Sequence, residues 1–103
     1  MSGRKLYACL CCLLLLIFIS SCRHNSEEKL ESLVKALSSP DKGIRNSSAL
    51  DIARYGKDGH KAVPGLIKLL NSDPSRGIRT SAAFALRSID TPEAIKALDS
   101  YSE

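Results

Sequence analysis

Beyond position 22 the chain of 103 residues contains no cysteine, and it has no tryptophan anywhere. The missing thiols exclude a disulfide framework and any cysteine-based metal site from residues 23–103. Aromatic side chains after residue 21 are reduced to Tyr55, Phe84 and Tyr101, so platforms on which nucleic-acid bases stack are absent. Histidine occurs twice, as His24 and His60. Neither has a carboxylate or cysteine at metal-ligand spacing. No serine lies in a Gly-x-Ser-x-Gly elbow, and no Gly-rich phosphate loop occurs. No segment alternates polar and apolar residues as a half-buried strand does. These gaps leave neither a metal nor a cofactor to be expected, and they point away from an enzyme.

The first 21 residues differ in kind from the rest. Arg4 and Lys5 precede an uninterrupted apolar run from Leu6 to Ile19, which holds no glycine, proline or charge. Ser20 and Ser21 follow, then Cys22. A basic start, an apolar middle and a small-residue exit make up a secretory signal. The run of 14 residues falls short of the roughly 20 that a spanning helix requires. Three of the four cysteines, at 9, 11 and 12, lie inside it. Without Arg4 and Lys5 the remainder holds 13 Lys+Arg against 11 Asp+Glu. Such a near-balanced charge, spread along the chain, does not argue for a nucleic-acid partner.

Ile19-Ser20-Ser21-Cys22 resembles the bacterial lipobox, an aliphatic residue and two small ones before cysteine. The resemblance implies that residues 1–21 are a lipoprotein signal peptide. The Cys22 thiol would carry a diacylglycerol, and its freed amine often a further acyl chain. Two or three chains hold a protein stably to a membrane where one does so only marginally. Residues 22–28 (CRHNSEE) would be the lipidated cysteine and a polar tether. The implied location is a bacterial cell membrane, with the domain facing outward. In many Gram-negative bacteria an Asp directly after the cysteine retains the protein at the inner membrane; Arg23 in that place favours the outer membrane.

From residue 29 the pattern is helical. Leu30, Leu33, Val34 and Leu37 recur at helical spacing, until Ser38-Ser39-Pro40-Asp41 stops the helix. After Lys42, Ile44, Ser48, Ile52 and Tyr55 share a face. Gly56-Lys57-Asp58-Gly59 reads as a turn. Val63, Leu66, Ile67 and Leu70 mark a third helix, with Pro64 tolerated in its first turn. Ile78, Ala82, Ala85, Leu86 and Ile89 mark a fourth. Ala94, Ile95 and Leu98 mark a short fifth, opened by Asp90-Thr91-Pro92 with Asp90 or Thr91 as cap.

Two of these helices are copies. Gly43-Ile44-Arg45-Asn46-Ser47-Ser48-Ala49 aligns with Gly77-Ile78-Arg79-Thr80-Ser81-Ala82-Ala83 at an offset of 34 residues, and five of the seven positions are identical. Leu33-Val34-Lys35-Ala36-Leu37 aligns with Leu66-Ile67-Lys68-Leu69-Leu70. A period of this length marks a helical solenoid, in which each hairpin completes its core only by stacking on a neighbour. Ala49, Ala82, Ala83 and Ala85 are small enough for helices to approach closely. The run after the Asp73-Pro74 loop resembles the short HEAT-like repeat of phycobiliprotein lyases. The earlier copy departs from that pattern at Ser47, Ser48 and Asp51.

The resemblance covers about Leu30 to Leu98. It implies an all-α fold over residues 29–103: a short α-solenoid of about two and a half HEAT-like helical hairpins. In that family the first-turn arginine pairs with acidic side chains or loop carbonyls of the adjoining repeat. Arg45 and Arg79 are therefore expected to be structural, with Asp51 bridging to Arg79. Lys57, Lys61 and Lys68 with Arg54 read as a solvated basic face.

The function expected is a non-catalytic protein-protein interaction or scaffold module, held to the membrane through lipid on Cys22. So few hairpins without disulfides bury a marginal core. One end of the stack should expose apolar surface for an unidentified protein partner or a second copy. The alternative is a lyase-like chaperone or enzyme accessory subunit. A large apolar pocket with convergent polar groups would favour that alternative, and a continuous positive groove would favour nucleic acid.

Overall fold

A computed structural model describes residues 26–101. The expected signal peptide, residues 1–21, and Cys22 lie outside the described residues. Helix α1 covers residues 26–36, so residues 26–28, expected to belong to the tether, are already helical. Next come α2, Lys42–Ala53, a 3-10 segment, Gly56–Ala62, α3, Val63–Ser72, α4, Arg76–Ile89, and α5, Pro92–Ser100. No strand occurs among the described residues. The architecture is a short all-α solenoid: α1 with α2, α3 with α4, and α5 as half of a third hairpin.

Local chemistry starts and stops each helix. Asp41 caps α2, its Oδ1 accepting from the Gly43 N–H at 2.8 Å and more weakly from the Ile44 N–H at 3.4 Å. Carboxylate caps of this kind satisfy N–H groups that have no partner within the helix. Thr91 caps α5, its Oγ1 accepting from the Ala94 N–H. Pro92 follows in the first turn, where no N–H is missed. Of the two caps expected there, Thr91 is the one used. Asp90 instead closes α4 in the left-handed conformation, φ 56 and ψ 41, its N–H donating to the Leu86 carbonyl.

The glycine cluster after α2 forms more than a turn. Gly56, at φ 55, reverses the chain in a region that favours glycine. The segment then winds as a 3-10 helix up to Ala62 and runs directly into α3. Gly65 lets α3 pass close to α1: a Cβ there would lie 3.0 Å from Leu37 Cδ1.

One core runs through the stack. Leu30 and Leu37 supply it from α1, Ala49 and Ile52 from α2, Leu66 and Leu70 from α3, Ile78, Ala82, Ala85, Leu86 and Ile89 from α4, and Ala94 from α5. The expected faces are buried or half-buried, with Leu33, Val34, Tyr55, Ile67 and Leu98 packed against the core, and two residues stand out as exposed. Ile44 is 45% exposed although its repeat partner Ile78 is only 2% exposed, and Ile95 is 44% exposed.

Asp90 holds a conformation that costs a residue with a Cβ, and glycine adopts it freely. Asp90→Gly is expected to stabilise the domain by about 0.5–1 kcal/mol, read as a raised melting temperature in circular dichroism.

Candidate functional site

An ion pair joins the two repeats. Arg45, in the first turn of α2, donates from Nε to Asp73 Oδ2 at 2.8 Å. The same guanidinium donates from Nη1 to the carbonyls of Ser39 and Pro40, at 2.9 and 3.1 Å. Asp73 lies in the loop between α3 and α4, with 3% of its side chain exposed. Its other oxygen, Oδ1, accepts from the Ser75 N–H at 2.9 Å. Arg79, the repeat copy of Arg45, donates to the Asp73 carbonyl at 2.7 Å. Burial pushes the Asp73 carboxyl up, but the Ser75 N–H, the Arg45 guanidinium and the charge of Arg79 together hold it below its ordinary value.

Arg45 thus reaches the adjoining repeat, whereas Arg79 bonds to a loop carbonyl of its own hairpin. Asp51 does not bridge to Arg79. It is exposed and makes no ion pair among the described residues. A helix turns by about 100° per residue, so Asp51 falls on the flank of α2 away from α4. The carboxylate missed in the sequence is Asp73. Its signal was the Asp-Pro step directly before the second arginine helix.

The flanks of α2 and α4 define the edges of the stack. Ser81 donates its hydroxyl to Asn46 Oδ1. That bond sets the flank Ile78, Ser81, Ala85 of α4 against the flank Asn46, Ala49, Ala53 of α2. The repeat copy of the first set on α2 is Ile44, Ser47, Asp51, and all three are exposed. The copy of the second set on α4 is Thr80, Ala83, Arg87. Thr80 and Arg87 are exposed there, and Phe84 beside them is 53% exposed. Large apolar side chains are exposed on several helices and not at one end alone: Ile44 and Leu50 on α2, Phe84 on α4 and Ile95 on α5.

Other candidates carry less. A cleft between α1 and the 3-10 segment is lined by Leu30, Arg54, Tyr55, Asp58, His60 and Lys61. Its mixed charge is neither an apolar substrate pocket nor a continuous positive groove. Lys57, Lys61, Lys68 and Arg54 are all exposed, the solvated face expected. Among the described residues no group of three His, Cys, Asp or Glu side chains is placed to hold a metal ion. Also among them, no helix is long and apolar enough to cross a membrane.

A family model described as HEAT repeats matches residues 30–102. No curated protein and no solved structure matches the chain.

Breaking a buried ion pair leaves its partner uncompensated. Asp73→Ala is expected to cost about 3 kcal/mol, seen as a lower midpoint in urea unfolding, whereas Asp51→Ala leaves the midpoint unchanged. The contribution of Asp73 has a definite pH window. A carboxyl whose folded value is depressed stabilises above its unfolded value, 3.8, and loses that stabilisation as pH falls through the folded value. The gap in stability between the native chain and Asp73→Asn should therefore be full at pH 7 and shrink below about pH 4.

Proposed function

The chain belongs to the HEAT-repeat family, and from that premise we propose that it is a lipid-anchored, exported, non-catalytic interaction module of the bacterial cell envelope. HEAT-type solenoids present stacked helix surfaces on which other proteins dock. The observation that carries the docking role is the match to HEAT repeats over residues 30–102, on helices that leave the large apolar side chains Ile44, Leu50, Phe84 and Ile95 exposed among the described residues. Anchoring rests on Ile19-Ser20-Ser21-Cys22 at the close of the Leu6–Ile19 apolar run. Residues 1–21 would leave as a signal peptide and Cys22 would receive lipid. The residues from 23 to the start of α1 make a tether of only a few positions, so the repeats would work close to the bilayer. The domain would face outward, on the outer membrane in a Gram-negative host.

The test compares the native chain with Cys22→Ala after expression in a bacterial host. Intact mass and partitioning into detergent are the readouts. The native chain should gain the mass of the acyl groups, lose residues 1–21 and enter the detergent phase, while Cys22→Ala remains the precursor. If both chains keep residues 1–21 and partition alike, the apolar run is an uncleaved anchor and the lipid assignment fails. Cross-linking in intact membranes tests the second half. A defined protein partner, linked through the repeat helices, is expected; no cross-linked protein at all would remove the interaction role.

A further inference from the structure

One outward position of the repeat carries a large apolar side chain both times it occurs. Leu50 on α2 and Phe84 on α4 are separated by the repeat offset of 34 residues, and they are 41% and 53% exposed. Helix α4 packs alongside α2, yet Leu50 stays at the surface. The position is therefore outward by its register on the helix, and a neighbouring repeat does not cover it. Two bulky side chains form a ridge across adjacent helices.

Cations surround that ridge. A helix turns by about 100° per residue, so Lys42 and Arg54 fall within about a quarter turn of Leu50, and Arg76 and Arg87 within about a quarter turn of Phe84. All four are exposed, and Lys42 and Arg76 are repeat copies of each other. Asp51 is the one carboxylate in α2 and α4. It lies farther round, toward Ile44. The layer made by α1, α3 and α5 carries acids and bases in nearly equal number. Positive charge thus collects on the α2–α4 face, together with the two apolar side chains.

The tether selects what meets this face. A chain extends by at most about 3.6 Å per residue, so lipid on Cys22 would hold Ser26 within about 14 Å of the bilayer. The start of α1 adjoins the end of α2, because Ser26 and Glu27 share a cleft with Arg54. The tether therefore enters beside the Arg54 end of the cationic face. So short an anchor brings the domain against the headgroups. We propose that the α2–α4 face rests on an anionic phospholipid surface. Leu50 and Phe84 enter the boundary between headgroups and acyl chains, and Lys42, Arg54, Arg76 and Arg87 meet lipid phosphates. Apolar side chains ringed by Lys and Arg lie in that boundary, and the arginine fork matches phosphate oxygens. The assignment rests on the lipid-anchoring reading and fixes which side of the module meets the membrane. Ile95, on the opposite layer, stays open to a protein partner.

The chain has no tryptophan, so a single introduced one reports alone. Leu50→Trp, Phe84→Trp and, on α3, Lys68→Trp are each made in the full chain. Each variant is purified from a bacterial host and reconstituted into vesicles of phosphatidylcholine and phosphatidylglycerol whose acyl chains carry bromine, a contact quencher. Quenching at positions 50 and 84 should exceed that at 68 by about threefold or more, and the excess should shrink in phosphatidylcholine alone or at high salt. Adding Arg54→Glu with Arg87→Glu, both at exposed positions, should bring position 84 down to the level of 68, with the helices intact by circular dichroism. Equal quenching at the three positions, or an excess indifferent to phosphatidylglycerol and to charge reversal, overturns the proposal. So does a protein that cross-links to positions 50 and 84 while they stay unquenched, because the face then docks a protein. Intact mass keeps the two readings apart. If Cys22 carries no acyl group, the anchoring reading has failed. The same quenching pattern, measured on the full chain held in the vesicle by its Leu6–Ile19 run, then still decides the face.

Discussion

The stack depends on the charge pair between half-buried Arg45 and buried Asp73. Arg45 leaves the first turn of α2, collects the carbonyls of Ser39 and Pro40 from its own hairpin and reaches Asp73 in the next. Asp73 is in turn held by the Ser75 N–H, while its backbone carbonyl receives Arg79. Two loops and two helix starts thus meet at one carboxylate. Apolar contacts between alanine-lined helices are non-directional and tolerate sliding. The guanidinium fork does not, because its donors match acceptors in only one geometry. Hydrophobic burial supplies the attraction between hairpins, and the Arg45–Asp73 pair sets their register.

That register makes the two edges of the stack unequal. Every position that packs on one flank recurs, one repeat on, at the opposite edge. On α2 the copy of a buried flank is Ile44, Ser47 and Asp51, with the charge at the place of fully buried Ala85. Another repeat of the same kind stacking there would have to bury an unpaired carboxylate, which is unfavourable. On α4 the copy retains Ala83, which is buried, between exposed Thr80 and Arg87.

The relation between local sequence and fold is uneven along the chain. Helices α3, α4 and α5 were legible from their apolar spacing and from the prolines and caps that bound them. The solenoid was legible from the repeated Gly-Ile-Arg runs. The 3-10 segment after Gly56 was not, since its residues carry no apolar period and only the burial of Gly59 and Ala62 winds them. Ile44 was assigned to a core face because helical spacing identifies a face and not what covers it. Asp51 was paired with Arg79 because both lie near the repeat boundary in sequence. In space they fall on different flanks, and the acid that matters comes from a loop.

By itself, then, the sequence determined the helical class, the repeat period, the positions of close helix contact and the lipobox-like junction at Cys22. Each of these is written in spacing or in residue type within a few turns of chain. Only the tertiary structure decided that Asp73 is the carboxylate of the inter-repeat pair, that Ile44 and Ile95 are left uncovered, and that Arg87 stands at the surface. Those properties belong to the order and register of the stack. The same side chain is core or surface according to whether another helix lies beside it, and no local pattern records that neighbour.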